Sequence, residues 1–137
     1  MVTDIDHIAV AVADLEEEIK RYRDILGLEY CGTEEVAEQK VRVAFFRVGA
    51  TFIELLEPTS PDSPIAQFIE KRGGGLHHIA LAVDDIRGTL GELKGRGVRL
   101  LSDEPASGAH HSRIAFAHPK SFSGVLLEFK QREPARE

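Results

Sequence analysis

A single cysteine, Cys31, stands among 137 residues. It excludes an internal disulfide, and no CxxC pair is present to hold a metal or run thiol redox chemistry. A cytoplasmic location is the expectation that results. No run of 18 apolar residues occurs, so nothing reads as a membrane-spanning helix. The opening MVTDIDHI lacks the basic region ahead of an apolar one that marks a secretory signal. An excess of positive charge is missing too: 17 Lys and Arg against 23 Asp and Glu give a formal net charge of −6. With no basic stripe to neutralise phosphates, a nucleic-acid partner is excluded. Small basic clusters (Lys40 with Arg42, Lys71 with Arg72, Arg113, Lys120) read as solvated surface, with room for one anionic small molecule.

What the chain does contain is a repeat. DHIAVAVADL at residues 6–15 returns as HHIALAVDDI at residues 77–86, and from His7 and His78 onward six of nine positions are identical. Self-similarity at a fixed spacing, here 71 residues, marks a repeated supersecondary unit. Each copy opens on an apolar strand pattern, places an aspartate (Asp14, Asp85) at a helix N-cap position, and then runs into a helical period. Leu15, Ile19, Tyr22 and Leu26 share one face of the first helix, with Asp14 and Glu17 as a capping-box-like start and Gly27 as its stop. Ile86, Leu90 and Leu93 make the matching stripe, ended by Gly95 and Gly97. Gly88 and Gly91 each weaken that second helix by about 1 kcal/mol relative to alanine.

After each helix the sequence is β-rich. GLEYCGTEE precedes a hairpin turning at Gly49-Ala50; GVRLLSDEP precedes SRIAFAHPKSFSGVLLEFK, with HPKSFSG as the turn. The expectation is one α+β domain, residues 1–137, of two tandem β-α-β-β-β modules at about 3–58 and 75–131, forming a curved mixed sheet around a cavity. Residues 59–74 join the modules through a short helix with Ser63 as cap, Pro64 at its first position and Gly73 to Gly75 as its end. The tail QREPARE reads as a fraying end.

Alternation along a strand assigns faces. Ile8, Val10 and Val12 form a bulky face suited to the helix stripe, and Ile5, His7, Ala9 and Ala11 form the other. Ile79, Leu81 and Val83 divide in the same way from His78, Ala80 and Ala82. Both histidines thus stand beside alanines on the face away from the helix, where small residues around a polar group leave room for a ligand. The end strands add Glu54 in FIELLE and Glu128 in LLEF, 74 residues apart. A glutamate inside an apolar strand is costly to bury unless it is paired or bound to a metal. A pseudo-two-fold relation between the halves would bring both histidines and both glutamates to one cavity, a donor set suited to Co²⁺, Mn²⁺, Zn²⁺, Fe²⁺ or Ni²⁺. The plainer alternative is a satisfied core histidine and half of a structural ion pair. His77 falls on the bulky face as a structural residue, His110 and His111 read as loop or cavity-rim groups, and His118 as a turn residue.

These paired modules, with a histidine on the first strand and a glutamate on the last, resemble the vicinal oxygen chelate (glyoxalase-like) superfamily. Within it, EQKVRVAFFRVG, IELLEPTSPDSPIAQFIEKRGGGLHHIALAVDDI, GVRLLSDEP and IAFAHPKSFSGVLLEF are similar to the methylmalonyl-CoA epimerase family, and the stretch from Ile53 to Ile86 is the most specific. The resemblance implies an isomerase that interconverts (R)- and (S)-methylmalonyl-CoA by removing and returning the proton alpha to the thioester. It also implies one divalent metal, Co²⁺ first and Mn²⁺, Zn²⁺ or Ni²⁺ after it, held by His7, Glu54, His78 and Glu128. A small-molecule CoA thioester is then the partner, and a homodimer is compatible. Some members carry a glutamate, proposed as the base, where this chain has Val43, so the proton transfer falls to Glu128 and Glu54. The alternatives are a glyoxalase-like isomerase or lyase acting on a hemithioacetal, an extradiol dioxygenase, and a metal-free binding protein of the same fold.

Overall fold

The computed structural model describes residues 1–133. The fraying expected of the tail falls largely on residues 134–137, outside the described part. Two compact units emerge, His7–His77 and a second made of Met1–Asp6 with the chain from His78 onward. Strand β1 (Val2–Ala11) contributes to both, its first residues to the second unit and its last to the first.

In the first unit β1 leads into helix α1 (Leu15–Lys20), then β2 (Glu29–Val36), β3 (Val41–Val48), β4 (Thr51–Pro58) and helix α2 (Pro64–Arg72). The strands lie in the order β2-β3-β4-β1, with β4 parallel to β1 and antiparallel to β3. The β3–β4 loop is the two residues expected, Gly49 supplying a left-handed φ of 61°. Leu15 and Ile19 pack on Val12, Ala44, Phe46 and Leu55, joined by Val10 and Tyr22 at the edge. The bulky face of β1 therefore does meet the helix stripe. Ser63 caps α2 by accepting from the Ile65 N–H at 3.2 Å, and Gly73 closes it at φ 78°.

One member of the first stripe is misplaced by helical periodicity. Beyond Lys20 the helix continues through Arg21–Ile25 with π-type bonds, the Leu26 N–H reaching back to the Arg21 carbonyl at 3.2 Å. A turn with an extra residue rotates the residues after it off the stripe. Tyr22 keeps its place against Phe46, with ring centroids 5.7 Å apart, but Leu26 is 60% exposed.

The second unit contains β5 (Gly75–Val83, from His78), helix α3 (Ile86–Gly95), β6 (Ala106–Ser107), β7 (Arg113–Ala117) and β8 (Leu127–Gln131). Its order is β5-β8-β7-β6, with β5 and β8 parallel, and the start of β1 lies beside β5, where Thr3 Oγ1 donates to the Ala82 carbonyl at 3.3 Å. Ile86 and Leu90 pack on Val83, Ala115, Ala117 and Phe129. The segment GVRLLSDEP departs from expectation. It makes no continuous strand, only single backbone bonds such as Leu101 N–H to the Phe116 carbonyl at 2.9 Å. Leu101 is exposed, and Pro105, which has no N–H to give, separates this stretch from the two-residue β6.

The helix starts repeat in detail. Asp14 accepts from the Glu17 N–H at 3.2 Å and Asp85 from the Gly88 N–H at 3.1 Å. A side chain from the end strand meets each first turn as well: Glu57 Oε2 accepts from the Leu15 N–H and Gln131 Oε1 from the Ile86 N–H, both at 2.8 Å. Glu57 is three residues past Glu54, and Gln131 three past Glu128. These bonds fix which face of β4 and β8 turns toward the helix, leaving the two glutamates on the opposite one.

Candidate active site

In the first unit Ala9, two residues after His7, stands opposite Glu54 in the parallel β1–β4 pair. In the second, Ala80, two residues after His78, stands opposite Glu128 in the parallel β5–β8 pair. The antiparallel neighbour is a phenylalanine both times, Phe45 for Glu54 and Phe116 for Glu128. The repeat thus extends from sequence into strand register.

Both pairs close. His7 Nδ1 lies 3.0 Å from Glu54 Oε2, and His78 Nε2 lies 3.3 Å from Glu128 Oε1. All four residues are buried: His7 is 3% exposed, Glu54 5%, His78 6% and Glu128 4%. The His78 ring meets the Phe116 edge at 5.4 Å between centroids, and Ala9, Ala11, Ala80 and Ala82 are buried on the same faces. A neutral imidazole nitrogen and a carboxylate oxygen held together away from water can serve either as a hydrogen-bonded pair or as two ligands of a divalent cation. Buried histidine and glutamate groups able to hold a metal are thus present among the described residues.

The remaining histidines take the places expected of them. His77 meets Phe68 edge-on at 4.8 Å. His118 Nδ1 accepts from the Lys120 N–H at 3.0 Å, holding the turn before β8. His110 and His111 lie in the loop before β7 and, with Arg113, line a cavity of about 880 Å³. Both have left-handed backbones, φ 55° and 58°, which cost energy in any residue other than glycine. Val43 is buried on the same face of β3 as Phe45, so no carboxylate stands there.

Strand alternation puts Ile5 on the histidine face and passes over its neighbour. Ile5 is instead half exposed, while Asp6 is buried and binds Lys130, at 3.0 Å, and Arg132, whose Nε donates at 2.6 Å. Alternation breaks between Asp6 and His7, both buried, at the point where β1 passes from one unit to the other. The sequence signal for this cluster is a lysine inside the apolar run LLEFK.

A sequence profile described as the Glyoxalase/Bleomycin resistance protein/Dioxygenase superfamily matches residues 6–116, and the chain belongs to that family. Its α+β fold of two β-α-β-β-β modules in a mixed sheet is the family's. Within the family the relatives include methylmalonyl-CoA epimerases and, at 28% identity, lactoylglutathione lyases. The mitochondrial methylmalonyl-CoA epimerase of Mus musculus is 43% identical over 128 residues, covering 93% of this chain and 72% of the relative. The ethylmalonyl-CoA/methylmalonyl-CoA epimerase of Cereibacter sphaeroides is 43% identical, covering 96% and 99%. A solved methylmalonyl-CoA epimerase in complex with methylmalonyl-CoA and NH4⁺ superposes with a TM-score of 0.94 at 38% identity, covering 100% of this chain and 99% of the other.

Proposed function

We propose that this chain is an epimerase that interconverts (R)- and (S)-methylmalonyl-CoA, taking the proton from the carbon between thioester and carboxylate and returning it to the opposite face. The observation that carries the reading is the doubled register, in which a buried histidine precedes by two residues the alanine that faces a buried glutamate. The relatives of that name support it at 43% identity.

We assign to His7, Glu54, His78 and Glu128 the binding of one divalent metal, with Co²⁺ as the ion. Two imidazoles and two carboxylates are a fitting donor set for such an ion, and burial leaves each pair with a desolvation cost that a cation would offset. When bound, the ion supplies Lewis acidity toward the oxygens of the substrate. Everything else is the work of the chain. The buried alanines beside the pairs give the small acyl unit room. The proton needs a base, and Val43 offers none. Glu54 and Glu128 lie on the alanine-lined faces, where a carboxylate oxygen can take and return a proton. We assign one glutamate to each face of the reacting carbon. A cytoplasmic location completes the proposal.

The test is an assay of the purified, metal-analysed protein on methylmalonyl-CoA in deuterated water, beside the hemithioacetal of methylglyoxal. Deuterium incorporation with epimerisation is expected for the first and no turnover for the second. Turnover of the hemithioacetal alone would replace this reading with a glyoxalase-like one.

A further inference from the structure

Lys130 lies two residues beyond Glu128 on β8, so the two side chains leave the same face of the strand. Phe129 between them points the other way, into the cluster beneath α3. The neighbours of Lys130 across the sheet are Ala82 and Ile114, both buried. Lys130 itself is 6% exposed, as buried as His78. Its Nζ donates to Asp6 Oδ2 at 3.0 Å, and an ammonium carries three donors, of which this bond occupies one. Arg132 binds the other oxygen of Asp6, so two cations share this carboxylate and Lys130 is not bound to it alone.

The repeat shows that the fold has no need of a charge at this place. Counting back the 74 residues that relate Glu128 to Glu54 leads from Lys130 to Leu56, which is equally buried at 6%. A buried ion pair replaced by well-packed apolar side chains is often neutral or stabilising. The first unit has the apolar solution and the second has the ion pair. The asymmetry matches a substrate with unlike ends, an uncharged thioester on one side of the reacting carbon and a carboxylate on the other.

We infer that Lys130 is a positioning and specificity residue, and that its ammonium, oriented by Asp6 and Arg132, receives the free carboxylate of the acyl group. The inference rests on the epimerase reading. It also gives Lys130 a part in the chemistry: a cation on the carboxylate offsets the repulsion between that charge and the negative charge that builds when the alpha proton leaves.

Two inhibitors separate this role from a structural one. Malonyl-CoA carries the carboxylate and propionyl-CoA lacks it. In metal-loaded Lys130→Met the inhibition constant of malonyl-CoA is expected to rise about tenfold or more, while that of propionyl-CoA stays within about twofold. The KM for methylmalonyl-CoA should rise with the first, and Lys130→Arg should recover part of the loss. Equal weakening of both inhibitors, or of neither, overturns the inference. Lys130→Leu, which copies Leu56, is the second variant. If both apolar variants fail to fold, the ion pair is structural and the inference falls. A wild-type protein that does not epimerise methylmalonyl-CoA overturns the functional reading instead, so the two failures are distinct.

Discussion

His7→Ala and His78→Ala should each lower epimerisation by about 100-fold or more, the scale seen when one preorganised group at a reacting centre is lost. Both histidines lie on the alanine face, outside the helix-packed clusters. Each substitution also takes the imidazole from a buried glutamate, so the metal-free thermal midpoint should fall. Metal binding followed by calorimetry should be lost with the activity. Metal binding at wild-type affinity in either variant would make that histidine structural. Glu54→Gln and Glu128→Gln, loaded with metal and given each epimer separately in deuterated water, should stop epimerisation yet retain hydrogen exchange with one epimer. Wild-type epimerisation by Glu54→Gln would remove that residue from the proton transfer. At this scale the sequence is informative because strand alternation has a period of two and the repeat states it twice: a histidine with an alanine two residues on, and a glutamate in the last strand. Asp6 and Lys130 escape because their contact spans 124 residues and leaves no local periodicity.

At the scale of elements, helix α3 offers a comparison between two glycines. Propensity alone marks both as weak points. A Cβ on Gly91 would meet no atom within 4 Å, so Gly91→Ala should raise stability by up to about 1 kcal/mol. A Cβ on Gly88 would clash with the carboxylate of Asp85, which caps the same helix. Gly88→Ala should therefore gain the propensity and lose the cap, which is worth about 1 kcal/mol, and end neutral or destabilised. Urea unfolding of the two variants measures the difference, and equal stabilisation by both would refute it. Strands, helices and caps are legible wherever local pattern decides them. The π-helical turn at Arg21–Ile25 and the irregular stretch before β6 are not. Each depends on how a segment is held by distant neighbours, such as Tyr22 against Phe46 or the Leu101 N–H bonded to Phe116.

For the whole molecule, the expected metal content is one ion per chain by atomic emission. A ligand that binds only the folded state stabilises it by about 2.7 kcal/mol at a hundred times its dissociation constant. Chelation should thus lower the thermal midpoint as well as abolish activity, and both should return when metal is added back. Imidazole and carboxylate must shed protons to bind the ion, so occupancy should fall as the solution is acidified. Two ions per chain would mean that the two His/Glu pairs act separately, and full activity of metal-free protein would dismiss the ion altogether. The repeated β-α-β-β-β plan is legible at this scale because each module writes its own strand, cap and stripe. The division of β1 between two compact units is not, since one continuous apolar run gives no sign of where its partners change.

Asp6 near one end of the chain is bonded to Lys130 and Arg132 near the other. Residues so tied lie close enough for a short flexible segment to connect them, so the order of the modules along the chain can be exchanged. A circular permutant that begins at Gly74, ends at Gly73 and joins the original ends by a glycine-serine linker interrupts only the segment between α2 and β5. Every strand pair and all three N-capped helices survive in it, and loop junctions of this kind tolerate new termini. The permutant should fold with a circular dichroism spectrum like that of the parent and should epimerise the same substrate. The sequence would then open with HHIALAV in place of DHIAVAV, and either copy of the repeat could come first.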